Sequence, residues 1–197
     1  MVDKAKVEEA INAVVRGKNI KEQAEVDEMA KAIEDAIAAL EKKPAQAGSK
    51  TVEQLGEIVN AAGIPFIVKG IMTVSGAKKA FDAGASAIVV SNHGGRVLDQ
   101  TPATAEVLER IVEWNQGRMK IFVDGGIRQG TDIFKALAMG ADAVLIARPF
   151  VQVVYGGAEE GVKLYIENLA AELSDTMAMC GAASIKDINR SMLYRPM

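Results

Sequence analysis

Four short apolar runs, each parted from the next by a helical stretch, constrain this chain more than any other feature. The runs are PFIVK (65–69), SAIVVS (86–91), KIFVD (120–124) and AVLIA (143–147). They show little polar alternation, the pattern of strands covered on both faces of a parallel sheet. Helices are expected at about 51–61, 75–83, 103–115, 130–139 and 158–179. Thr51 and Gln54 have the spacing of a capping box, and Gly63, Gly84 and Gly140 stand where helices want a terminating glycine. GASAIVV (84–90) and GADAVLI (140–146) form a weak internal repeat of one strand-entry pattern. Parallel neighbours need a crossover, so βα units in series imply a parallel α/β architecture. Two layouts satisfy that: an open doubly wound sheet, or part of a (β/α)8 barrel. Periodicity alone does not choose between them. Both put chemistry at the C-terminal strand edge, and Lys69, Ser91, Asp124 and Arg148 all lie at or just past strand ends.

The first 43 residues have a different pattern. Val7, Ala10, Ile11, Val14 and Val15, then Val26, Met29, Ile33, Ile37 and Leu40, recur at helical spacing. They predict helices at about 4–16 and 21–42, a helical hairpin over 1–43, joined by a linker at 44–50 to the α/β unit at 51–197. A net charge of −3 supplies no electrostatic footprint for nucleic acid or an anionic membrane. No apolar run approaches the roughly 20 residues of a membrane span. The acidic N-terminal stretch resembles neither a signal nor a transit peptide. One cysteine, Cys180, makes no internal disulfide and fits a reducing compartment, so a cytoplasmic location is expected. With one histidine and one cysteine, no metal site is expected. Cys180, Trp114 and the methionines read as core packing, and Asp99 and Asp132 as caps.

The densest polar cluster is Ser91-Asn92-His93-Gly94-Gly95-Arg96. His93 is the only histidine, set at a strand end beside glycines that permit close ligand approach. Imidazole can act as a general base near neutral pH, and the planar fork of Arg96 suits a carboxylate. The alternative is a histidine held by a loop hydrogen bond beside a surface arginine. Lys69 closes its strand, where an ammonium is costly unless it meets an anion; otherwise it extends past the rim into water. The second cluster, Asp124-Gly125-Gly126-Ile127-Arg128-Gln129-Gly130, lies between a strand and a helix, and its glycines can expose backbone N–H groups. Ala147-Arg148-Pro149 ends the next strand with another arginine. Two Gly/Arg loops on consecutive strands fit a barrel's phosphate site. Ordinary tight turns with solvated arginines are the alternative. Neither a P-loop nor a strand-borne GxGxxG is present.

With those residues in place, the stretch from about 51 to 188 resembles the FMN-dependent α-hydroxyacid oxidase and dehydrogenase family. The matching motifs are IPFIVKGI (64–71), SNHGGRVLD (91–99), TPAT (101–104), FVDGGIRQGTDIFKALAMGADAVLIARP (122–149) and GGAEEGV (156–162). The resemblance implies FMN as cofactor and a small α-hydroxy acid as substrate. It implies Lys69 beside the flavin ring, His93 as the base toward the substrate hydroxyl and Arg96 as the clamp on its carboxylate. Ser91 would touch the flavin. Asp124, Gly125, Gly126 and Arg128 would form the ribityl and phosphate loop, and Ala147 with Arg148 the second phosphate turn. The family usually has glycine where Ala147 stands. It also implies a complete (β/α)8 barrel, of which four βα units are legible here, so a half-barrel is expected. On that expectation the chain is a partial enzyme with little or no activity alone, and a homo-oligomer that hides its sheet edges. The other reading is a non-catalytic FMN- or phosphate-binding assembly module. The run NIKEQAEVDEMAKAIEDAIAALEKKP (19–44) resembles the last two helices of FIVAR-type modules.

Overall fold

A computed structural model describes residues 50–194. Lys50 also opens the second of the two units into which the chain divides. The hairpin expected over 1–43, its FIVAR-type resemblance and most of the linker lie outside the described residues.

The elements, in chain order, are α1 (Val52–Ala62), β1 (Ile67–Ile71), α2 (Val74–Asp82), β2 (Ala87–Val90), α3 (Thr104–Asn115), β3 (Lys120–Val123), α4 (Gly130–Ala138), β4 (Ala143–Val144) and α5 (Arg148–Cys180). Short 3-10 turns follow at His93–Gly95, Ile185–Asp187 and Arg190–Met192. The capping box forms as the spacing predicts: Thr51 Oγ1 accepts from the Gln54 amide, and Gln54 Oε1 from the Thr51 amide. Gly63, Gly84 and Gly140 take left-handed φ values of 63°, 87° and 97° after their helices.

All strand pairs are parallel, and the order is β1-β2-β3-β4. The sequence order never reverses. A doubly wound sheet has a switch point where it does, whereas a barrel wall does not. The sheet is therefore a four-stranded segment of a (β/α)8 barrel, with helices on its outer side. Ile88, Val90, Leu108, Ile111, Ile121 and Val123 form the main core between sheet and helices, closed by Ala77, Ala80 and Ala136. A second cluster joins Phe134 and Ala138 of α4 to Ala182 and Ile188 in the C-terminal segment.

Four expectations need correction. Burial on both faces holds for β2, all four of whose residues are buried; β3 is fully buried only on the face of Ile121 and Val123, and the expectation fails outright for β1 and β4. Those are edge strands, and burial is conferred by neighbours rather than by composition; Ile67 is half-exposed. Lys69 does not close its strand. It lies within β1, and the pairing register shifts at the following Gly70, whose φ of 94° breaks the ladder. The fourth strand is only Ala143–Val144, because α5 already begins at Arg148 rather than near 158. Pro149 at its first turn supplies the start signal, a fixed φ and no N–H to satisfy. The helix breaks at Ala158, φ 44° and ψ −130°, so the helix expected from 158 is its second half. Cys180 is exposed rather than packed in the core, since it ends α5 beside Gly181. Trp114 is partly buried, edge-on to Phe81 with Arg118 over its ring.

Candidate functional site

The parallel sheet delivers its strand ends to one edge, and a cleft of about 240 Å³ opens there. Lys69 from β1, His93 and Arg96 from the loop after β2, Asp124, Gly125, Gly126 and Arg128 from the loop after β3, and Ala147 and Arg148 from the turn after β4 all line it. Residues spread over 80 positions of sequence thus meet because every strand points the same way. Ser91 is the one expected site residue that does not line the cleft. It is buried beneath, where its hydroxyl accepts from Lys69 Nζ at 2.6 Å and from the His93 amide at 3.2 Å.

Lys69 also pairs with Asp124 Oδ2. The partnership answers the cost of an ammonium inside a strand: one carboxylate and one hydroxyl hold it toward the cleft. Asp124 Oδ1 is buried and has no hydrogen-bond partner among the described residues. A carboxylate oxygen in that condition suits a hydroxyl donor entering the cleft.

The loop after β3 is shaped by consecutive left-handed residues, Gly125 at φ 87° and Gly126 at φ 83°. Glycine reaches such values without a β-carbon penalty, which lets the loop bend sharply at the cleft. Thr104 fixes it: its buried hydroxyl donates to the Asp124 carbonyl at 2.7 Å. Thr104 belongs to the TPAT run, yet nothing local marks that hydroxyl, because its partner is 20 residues away. At the start of α4, Asp132 accepts from the amides of Arg128 and Gln129, as expected of a cap. Glu172 of α5 accepts from the Gly130 amide at 2.7 Å. The first turn of α4 is thereby occupied by the protein's own carboxylates.

His93 takes φ 56°, the left-handed region that costs a non-glycine residue conformational energy and is tolerated where tertiary contacts enforce it. The enforcing contacts are local. Asn92 Oδ1 accepts from the Gly94 amide at 3.0 Å, and the His93 amide is tied to Ser91. The Arg148 guanidinium packs against Gly94, so the turn after β4 touches the loop after β2. His93 and Arg96 are themselves exposed at the cleft. Four cationic side chains and one carboxylate line this cleft in a chain of net charge −3. Positive charge is thus concentrated at this cleft, an electrostatic setting that favours an anion. Among the described residues, no cluster of His, Cys, Asp and Glu could hold a metal ion, and no helix is long and apolar enough to cross a membrane.

The sequence model of a family described as FMN-dependent dehydrogenase matches residues 2–195. A peroxisomal (S)-2-hydroxyacid oxidase of Arabidopsis thaliana is 49% identical over 142 residues, 72% of this chain and 38% of that protein. An L-lactate oxidase of Roseobacter sp. (strain GAI101) is 42% identical over 143 residues, 73% of this chain and 39% of the relative. The chain thus spans about four-tenths of the length of these relatives. Crystal structures of mandelate oxidase superpose with a TM-score of 0.69 at 40% identity, covering 73% of this chain and 43% of theirs.

Proposed function

The chain belongs to the FMN-dependent dehydrogenase family, and we propose that its cleft holds FMN and serves the oxidation of a small α-hydroxy acid to the 2-oxo acid. The observation that carries this reading is the cleft itself: lysine, histidine, arginines and the glycine pair converge on it from β1 and from the loops after β2, β3 and β4. The residues fit the cofactor's chemistry. Arg128, Arg148 and the amides of Gly125 and Gly126 suit a phosphate. The unpartnered Asp124 Oδ1 suits a ribityl hydroxyl. Lys69, held by Ser91 and Asp124, puts a positive charge where an electron-rich ring edge gains from it. Ala147 stands where the family usually has glycine; it is exposed, and so leaves room for its methyl.

When bound, FMN supplies the two-electron acceptor for the hydride equivalent that leaves the substrate's α-carbon. The chain's own part is proton handling and placement. Arg96 clamps the substrate carboxylate through its planar fork, which fixes the α-carbon relative to His93. The His93 imidazole takes the hydroxyl proton as the carbonyl forms. The relatives named as 2-hydroxyacid, lactate and mandelate oxidases support this substrate class. Turnover by the 197-residue chain alone is slow in this reading, since the described strands provide one wall of a barrel and leave His93 and Arg96 open to water.

A titration with FMN tests the reading. Flavin fluorescence is expected to quench to a one-to-one end point, leaving a yellow protein after desalting. A colourless protein that leaves the fluorescence of excess FMN unchanged would sink it.

Self-association is part of the same proposal. β1 and β4 each present an unpaired edge, with Ile67 and Leu145 exposed there. Two such walls placed edge to edge would pair all four edges. Light scattering is expected to give twice the chain mass, and a monodisperse monomer would count against it. A reducing, cytoplasmic setting fits the free and exposed Cys180.

A further inference from the structure

The two arginine loops are held from behind by one residue that neither of them contains. Tyr165 projects from the second half of α5, and its hydroxyl donates to the Arg128 carbonyl at 2.8 Å. Its ring meets Phe150 edge to face, centroids 5.1 Å apart and planes at 73°. Phe150 is two residues past Arg148 on the first half of α5. One side chain thus touches the backbone of the Arg128 loop and the segment that carries Arg148. Two turns further along α5, Glu172 takes the Gly130 amide, so the same helix anchors the loop at a second point. Burial, with Glu172 and Asp132 nearby, pushes the Tyr165 hydroxyl above its ordinary range, which keeps it protonated and able to donate.

We propose that Tyr165 is a positioning residue that sets the spacing of Arg128 and Arg148 for the phosphate end of the bound flavin nucleotide. The inference rests on the reading of the cleft as an FMN site. It assigns Tyr165 no contact with the ligand. Its action is geometric: the phenol pins the carbonyl of Arg128, and the ring limits how far the Arg148 segment can move. A bidentate arginine contact loses strength quickly when its fork is displaced.

The test compares wild type with Tyr165→Phe, which keeps the ring and removes the hydroxyl. Tyr155→Phe is the control, since Tyr155 is 91% exposed. FMN and riboflavin are each titrated by fluorescence quenching. Tyr165→Phe is expected to weaken FMN about five-fold, in line with one lost neutral hydrogen bond, and riboflavin less than two-fold. Amide hydrogen exchange on the free protein is the second readout: exchange at residues 128–130 is expected to quicken in Tyr165→Phe and not in the control. Equal weakening of both ligands, or unchanged exchange at 128–130, overturns the positioning role. A wild type that binds riboflavin as tightly as FMN overturns the phosphate reading instead, while the exchange experiment still reports on the clamp.

Discussion

Replacing Arg148 with methionine is expected to weaken FMN binding about 30-fold while leaving riboflavin within two-fold. Removing one charged hydrogen-bonding partner of a phosphate costs ~2 kcal/mol, which is about that factor. Methionine keeps the unbranched bulk and the helix-starting position before Pro149. The guanidinium does two things here: it lines the cleft and lies against Gly94 in the His93 loop. Riboflavin separates them, because it carries the ring and ribityl chain without the phosphate. Weakening confined to FMN assigns Arg148 to the phosphate. Equal weakening of both would mean that Arg148 acts by holding the His93 loop in place. Salt gives a second check. Arg148 is exposed, so the FMN affinity of wild type should fall with ionic strength more steeply than that of the variant.

Gly130→Ala is expected to lower stability by ~3 kcal/mol, read as a lower urea midpoint. A β-carbon on Gly130 would strike the Leu173 amide nitrogen and come within 2.6 Å of Glu172 Cβ and 2.7 Å of Glu172 C. Those atoms belong to the body of α5 and cannot swing aside as a flexible side-chain end could. The first turn of α4 must then lift off α5, which also strains the Gly130–Glu172 hydrogen bond. Overpacking of this kind costs ~1–3 kcal/mol, and an unsatisfied partner adds to it. The opposing effect is helix propensity, in which alanine surpasses glycine by ~1 kcal/mol at an interior position. The steric term is larger, and Gly130 is at the helix start, where propensity counts for less. A variant as stable as wild type would show that α4 and α5 do not approach this closely. Because Gly130 directly follows the Arg128 loop, the variant should also lose FMN affinity in proportion to how far that loop is carried with the helix.

Much of the architecture was legible because its signals are local. Apolar runs, the Thr51–Gln54 box and the terminal glycines depend on residues a few positions apart. The convergence of Lys69, His93, Asp124 and Arg148 was legible too, because parallel strands all end on one edge. Other features depend on distant partners. Tyr165 and Glu172 hold loop residues 37 and 42 positions away, and no pattern around either marks them. The Pro149 start of α5 carried a usable signal that the neighbouring apolar run AVLIA outweighed.

The sequence by itself determined a series of parallel βα units and the chemistry placed on their edge, because strand and helix periods and strand-end residues are properties of short segments. Only the tertiary structure decided that β1 and β4 are exposed edges, that Lys69 shares its charge with Asp124 and Ser91, and that Tyr165 and Glu172 of α5 bond to the Arg128–Gly130 loop. Burial, ion pairing and hydrogen bonding of that kind exist only once segments far apart in the chain are brought within a few ångströms.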